Sequence, residues 1–390
     1  MKSYHPSVLK VAWRECRRLR SNRMYLFCMV VFPVLVTLYF TTMMGEGIPT
    51  EMPVGVVDQD NTSTTRKLTR TLDAFQTTRV AGHYANVDDA RLAMQHNEIY
   101  GFLYFPKGTT AALNASRQPK ISFYYSYASI TAGSLVFRDL KTVATLGSAA
   151  VGQATMRAKG YTDKQIATFL QPIVLDLHPV GNPWISYNIY LSTMLIPGCI
   201  MIFVFLITAY SLGMELKEGT SRQWIRLSGG NMLRALVGKL LPQTVVFLLV
   251  FYGFMAYLFG ILGFPHPGDL GAILVTGLLT VLAGEGFGVL IFCIFPSLRM
   301  AMSVCSLLGV LSFSMVGTAF PTFAMSPALQ TLAALFPLRH YFLLYEIGIL
   351  NGQPLHQVWL NVAALLVFVL LPMVVLGRLK RVMMEYVYTP

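Results

Sequence analysis

A chain of 390 residues that is 54% hydrophobic and only 12% charged lies far below the roughly 25% of charged residues carried by a soluble protein of this size. A formal net charge of +12 suits nucleic acid at first sight, but segments 1–23, 215–234 with Lys239, 296–299 and 377–390 hold 16 of the 30 Lys and Arg, accompanied by Glu15, Glu215, Glu218 and Glu385, and the remainder is neutral. Composition and charge placement therefore exclude an ordinary soluble domain and a nucleic-acid binder, and make lipid the solvent of much of the chain.

The opening stretch contains "KVAWRECRRLRSNR". Its arginines read either as simple positive flanking of a membrane span or as an amphipathic helix over 1–23. In the second reading Val11, Ala12, Cys16 and Leu19 lie toward lipid while Arg14, Arg17, Arg18 and Arg20 reach lipid phosphate. An apolar run follows at 24–44, long enough to cross a hydrocarbon core. It is longer than the apolar part of a cleaved signal, and "GEGIPTEMP" after it has no small-residue cleavage site, so it reads as an uncleaved anchor.

Residues 45–183 change texture to that of a soluble domain. "PVGVVDQD" is a strand ending in a polar turn, and Thr62 or Ser63 caps a helix carrying Leu68, Leu72 and Phe75. Strands at 79–84, 99–106 and 120–127 alternate with helices over "NVDDARLAMQHNE" and "KGTTAALNAS". A long helix runs from Thr131 to about Lys159, and Thr162 to Gln165 forms a capping box. This alternation predicts a small α/β or α+β layer. None of the five cysteines falls in it, so it carries no disulfide. Asp58 and Asp60 read as turn and cap residues rather than a catalytic pair, and His83, His96 and His178 lack metal-ligand spacing. No hydrolase, zinc or calcium motif is present, so neither catalytic residues nor a metal site is expected.

Five further apolar runs follow, at 187–214, 235–262, 271–295, 300–320 and 358–376. The fold class is thus an α-helical polytopic membrane protein with six transmembrane helices and an extracytoplasmic α/β domain inserted between helices 1 and 2. Lys and Arg gather in the short loops that mark the cytoplasmic side, whereas 263–270 and 321–357 hold Arg339 alone. Both termini and the 215–234 loop are then cytoplasmic and 45–183 lies outside. Glu285, in "VLAGEGFGVL", is the one acid well inside a run. It reads as a polar point on a transport route, a helix-locking hydrogen bond, or a residue hydrated near the interface. Between the last two runs, Ser326-Pro327 starts a short helix, Pro337 breaks it and Gly352 ends a second. The pair reads as an external re-entrant hairpin over 324–352, with Arg339, His340 and Glu346 at its polar edges, or as two helices lying flat on the outer leaflet.

The loop "MELKEGTSRQWIRLSGG" holds a Thr220 to Gln223 capping-box pattern and a Gly229-Gly230 stop, which predicts a short helix within 220–228. So short a helix is unstable alone in water and needs a support. Trp224 and Leu227 lie on one side, to rest in lipid headgroups or in a protein partner.

That loop resembles the one after the second span in permease subunits of type-2 ATP-binding cassette (ABC) exporters. Their E-x-x-x-G-T pattern falls on Glu215, Gly219 and Thr220, with Glu218 as an added acid. "VGVVDQDNTSTTRKLTRTL", "NPWISYNIYLSTMLIPG" and "ALQTLAALFPLRHYF" resemble the external domain, second-span entry and external hairpin of the long-domain branch, bacterial and efflux-like. "RQWIRLSGG" departs from relatives that carry acidic or leucine-rich residues and a Pro.

The resemblance implies a non-catalytic subunit of the bacterial inner membrane, exporting a hydrophobic or amphipathic substrate such as a drug or lipid. Glu215, Glu218, Gly219, Thr220, Arg222, Trp224 and Leu227 would couple it to a separate ABC ATPase that binds ATP and Mg, while this chain binds no cofactor. A second permease copy or paralogue would complete twelve spans, with membrane lipid around them and a periplasmic adaptor and outer-membrane channel as further partners. The chain's own "LVGKLL" has Leu233 and Leu240 where a phosphate-binding loop needs Gly and Ser or Thr. Two other readings are an ion-driven secondary transporter, which wants paired ionisable groups in mid-membrane, and a membrane receptor or assembly protein whose external domain binds a partner.

Overall fold

The structure, a computed structural model, describes residues 7–115, 117–179 and 181–386. The first six residues of the expected 1–23 helix, Ser116, Val180 and the last four residues of the expected tail lie outside them. Among the described residues six helices are long and apolar enough to cross a membrane, and the chain divides into two units, Met1–Gly45 with Pro179–Pro390, and Glu46–His178.

Ser7 caps α1 (Val8–Ser21) by accepting from the Leu9 N–H. Asn22 ends α1 in extended backbone, and its side chain caps the next helix through the Met24 N–H. One residue therefore serves two helix ends and turns the chain sharply into the first span, α2 (Arg23–Met43). A π-helical turn over Phe27–Val31 interrupts α2.

The Glu46–His178 unit runs β1 (Met52–Asp58), α3 (Ser63–Asp73), β2 (Thr78–His83), α4 (Val87–Gln95), β3 (Gly101–Phe105), α5 (Thr109–Asn114), β4 (Ser122–Tyr125), α6 (Ile130–Ala158) and α7 (Asp163–Leu170). The sheet order is β2-β1-β3-β4, with β1 parallel to β2 and β3, and β4 antiparallel to β3. Period-two side chains split its core. Val54, Val56, Leu103 and Phe105 pack with Leu72 of α3 and with Val136 and Leu140 of α6. Val57 and Phe102, on the other face, pack with Ala90 and Ala93 of α4. Gly55 is required where the sheet is crowded, because a Cβ there would stand 2.8 Å from the Tyr84 ring. The expected alternation is present, with strand ends displaced by one or two residues.

The second span is α8 (Tyr187–Lys217), followed by the short α9 (Ser221–Leu227) and then α10 (Met232–Ile261), α11 (Leu270–Ile294) and α12 (Leu298–Met315). The connection beyond carries α13 (Pro327–Ala333) and α14 (Pro337–Leu344), the latter running into a π turn over Tyr345–Leu350. The last span, α15, is Leu355–Glu385; it continues through most of the basic segment 377–390, expected as a cytoplasmic tail beyond the last apolar run.

Close helix approach depends on missing side chains, as expected where lipid offers no hydrophobic drive. A Cβ on Gly286 would meet the Phe368 carbonyl of α15 at 2.1 Å, and one on Gly284 would meet Val204 of α8 at 2.9 Å. Gly288 similarly stands against the Phe205 carbonyl of α8. The glycines around Glu285 thus bring α8 and α15 onto opposite sides of α11.

Candidate coupling site and buried polar centres

Glu215 lies in the last turn of α8 and is fully buried. Burying a lone carboxylate costs several kcal/mol, so its surroundings must supply the balance. Arg14 of α1 grips it bidentately, Nη1 to Oε1 and Nη2 to Oε2, both at 2.9 Å. Arg18 donates to the same Oε1. Lys239 Nζ, 2% exposed on α10, stands 2.8 Å from Glu215 and 2.9 Å from Glu15. Arg14 also pairs with Glu15 at 2.8 Å, and Arg18 with Glu218. The cluster contains three cations and three carboxylates and ties α1, α8 and α10 together. Burial works against the Arg14 charge, but its hydrogen bond to Glu215 and the nearby carboxylates outweigh that and hold the guanidinium still more firmly protonated than usual.

Two expectations are corrected here. Arg14 and Arg18 are held by protein carboxylates rather than reaching lipid phosphate. Lys239, counted above with the basic 215–234 segment although it falls inside the 235–262 run, is a buried base of the third span, because α10 begins at Met232, two turns before it.

The short helix hangs from this cluster. Gly219 ends α8 with φ +64°, the left-handed conformation that favours Gly. Thr220 does not form the expected capping box: its backbone is near-helical and its side chain makes no cap. The hydroxyl donates instead to Glu215 Oε2 at 2.6 Å.

Trp224 is 0% exposed. Its indole N–H donates to the Ala235 carbonyl at 3.0 Å, and Lys239 Nζ stands 5.3 Å from its ring centroid. The expectation that lipid or a partner receives Trp224 is therefore corrected, since its own chain fills that role. Ser221 and Ile225 are also buried. The outward face of α9 consists of Arg222, Gln223 and Arg226, with Leu227 half-buried. Gln223 and Leu227 line a groove of about 510 Å³ whose other wall is α1, through Leu9, Trp13 and Arg17. Trp13 is 64% exposed, with Arg17 over its ring at 5.6 Å. Sequence reasoning missed this contribution of α1; an aromatic among arginines on a helix beside the loop was the available signal.

Glu285 forms a second buried polar centre, 2% exposed on α11. Gln243 Nε2 donates to its Oε1 at 3.0 Å and to Thr208 Oγ1 of α8 at 2.8 Å. The Thr244 hydroxyl lies 2.9 and 2.8 Å from the two carboxyl oxygens. This is a three-helix tie between α8, α10 and α11, so the hydrated near-interface reading of Glu285 is corrected.

The residues expected at the polar edges of 324–352 form no single bonded cluster among the described residues. Pro337 occupies the first turn of α14. Arg339 donates to the Val316 carbonyl at 2.9 Å. His340 is buried rather than at a polar edge, with Nδ1 3.1 Å from Asn361 Oδ1 and Nε2 2.9 Å from the Ala334 carbonyl. Glu346 is half-buried in the π turn, with no hydrogen bond or ion pair to either among the described residues. Leu338, Tyr341 and Leu344 are fully buried, so the second limb packs within its unit while most of α13 is exposed.

In the Glu46–His178 unit Asp58 accepts from the N–H groups of Asp60 and Asn61 and from the Thr65 hydroxyl. Asp60 accepts from the Gly108 and Thr110 N–H groups, both at 2.9 Å, which ties the β1 turn to the start of α5. The Thr110 hydroxyl, with these N–H groups, holds the Asp60 carboxyl below its ordinary range. Both aspartates are turn residues with their acceptors engaged. Among the described residues no group of His, Cys, Asp and Glu is arranged to hold a metal.

The model of the ABC-2 family transporter protein matches residues 23–377. The chain belongs to the ABC-2 transporter family. Comparison with curated proteins finds no match. As a type-2 ABC permease it is the membrane-spanning transport subunit, and an ATPase belongs to the same transporter. The match covers the Glu215 cluster from the α8 and α10 sides, the whole of α9 and the Glu285 centre, but begins after α1.

Proposed function

We propose that this permease passes a hydrophobic or amphipathic substrate, drug-like or lipid, outward across a bacterial inner membrane, driven by ATP and Mg on a separate ATPase subunit. A second copy or a paralogue completes the route. The basic loops and both termini face the cytoplasm, and the α/β unit faces outward, where an adaptor and an outer-membrane channel can meet it. The 324–352 segment is a re-entrant hairpin on that outer side, a reading supported by the burial of its second limb.

The ATPase docks on the outward face of α9 and the adjoining face of α1. The observation that carries this reading is the two-sidedness of α9. Trp224 and Ile225 are fixed into the bundle, while Arg222, Gln223 and Arg226 are presented outward. A seven-residue helix cannot hold itself, but one anchored through Trp224, Thr220 and the Glu215 cluster moves as part of α8 and α10. Force applied to its outer face therefore reaches two spans. Coupling requires that the two ATPase states interact differently with that face.

The test is co-purification of the ATPase with Arg222→Glu/Arg226→Glu. At least about a tenfold loss of association, the scale of two like-charge contacts in an interface, with normal insertion and thermal stability, is expected. Undiminished association and transport would overturn the docking assignment.

A further inference from the structure

The arginines of α1 are sorted. Arg14 and Arg18, four apart, turn inward and are held by Glu215, Glu15 and Glu218. Arg20 and Arg23 are exposed, and neither makes a hydrogen bond or ion pair among the described residues. Arg20 stands at the lip of an apolar groove of about 520 Å³ between α1, the first turns of α2 and the middle of α10. Cys16, Leu19, Tyr25, Met29, Leu241 and Val245 are among its lining residues.

The groove has a structural origin. Met29 and Val30 sit on the π-helical turn of α2, which widens that helix locally. Pro242, inside α10, contributes to the opposite wall. Both helices are spans, so the groove opens toward hydrocarbon at the end of the bundle where the basic loops lie. The room available is that of a ligand pocket, commonly about 300–1,000 Å³.

We propose that this groove is a binding site for one anionic phospholipid of the leaflet on the basic side. An acyl chain lies along Leu19, Met29, Leu241 and Val245, and the phosphate rests at Arg20. Charge complementarity selects the occupant. The walls are apolar, the lip is cationic and unmatched, and the carboxylates of this region are already held by Arg14, Arg18 and Lys239. A resident lipid here bridges α1 to α2 and α10 from the side opposite the Glu215 cluster, and so braces the helix that forms one wall of the proposed docking groove.

Cys16 lines the groove and provides a local readout. The full chain is reconstituted in nanodiscs of phosphatidylcholine alone or with phosphatidylglycerol, and Cys16 alkylation by N-ethylmaleimide is followed by peptide mass spectrometry. In the wild type, phosphatidylglycerol is expected to slow Cys16 alkylation by about fivefold beyond the surface-potential effect, the factor one arginine contributes at an anionic surface. Arg20→Gln removes the phosphate partner, and Val245→Trp fills the groove from a position already half-exposed. Both are expected to leave only the surface-potential effect.

Equal slowing in all three proteins, or none in the wild type, would overturn the site. Loss of slowing in Val245→Trp but not in Arg20→Gln would overturn the anionic selection. Both leaflets of the disc have the same composition and no ATPase is present, so the outcome is independent of the docking assignment and of membrane orientation.

Discussion

The Glu215 and Glu285 centres solve one problem in two ways. Each buries a carboxylate where three elements meet. Glu215, near the end of α8, is matched by Arg14, Arg18 and Lys239. Glu285, far from either end of α11, meets among the described residues only Gln243 and Thr244, which carry no charge. The difference follows position. Arg14 and Arg18 reach this helix end from α1 with their side chains still partly exposed, and the buried Lys239 is matched by two carboxylates, whereas a cation deep in the bilayer carries its own desolvation cost. Ion pairs therefore brace the end that meets the ATPase in the proposed orientation, and neutral hydrogen bonds lock the middle. An ion-driven mechanism gains no support from Lys239, which is held by two carboxylates at the end of the bundle.

Substitutions sharpen the contrast. Glu215→Ala leaves three cations facing one another with Glu15 and Glu218 alone. A loss of about 3–5 kcal/mol, the cost of breaking a buried ion pair from one side, is expected as a large fall in the unfolding temperature of the detergent-solubilised protein. Trp224→Ala removes the indole from its cavity along with its hydrogen bond to Ala235; at about 3 kcal/mol the effect is nearly as large. Trp224→Phe should recover more than half of it, because a partner is not what the ring fills.

Glu285→Leu strands the Gln243 amide and is expected to cost about 1–3 kcal/mol, while Glu285→Gln retains an acceptor and stays within about 1 kcal/mol of wild type. A Glu285→Gln protein of normal stability that no longer transports would show that the carboxylate does more than lock helices. Arg222→Glu/Arg226→Glu, on the exposed face of α9, should change stability by no more than about 0.5 kcal/mol in the same melting assay.

The sequence announces what depends on length and composition. Six apolar runs, the α/β texture of 45–183 and the short helix after α8 are all legible because they rest on local chemistry. What it conceals depends on direction. The Thr220 to Gln223 pattern is that of a capping box, yet the hydroxyl turns back to Glu215, since an acid five residues upstream is a charged and better acceptor. A pair at 224 and 227 defines a helix side but not which side meets the bundle, so the sequence assigns Trp224 to lipid headgroups or a partner although its own chain receives it. Lys239 is counted with the basic 215–234 segment because its partners, Glu15 and Glu215, are 224 and 24 residues away. The role of α1 is hidden for the same reason.

The proposed docking of the ATPase on the outer face of α9 is tested most directly by a photoreactive phenylalanine analogue placed singly at 222, 223, 224 and 226, with irradiation in the assembled transporter with and without nucleotide. Nucleotide-dependent cross-links to the ATPase from 222, 223 and 226, and cross-links only within the permease from 224, are the expected result. ATPase cross-links from 224 as strong as those from 223 would contradict it.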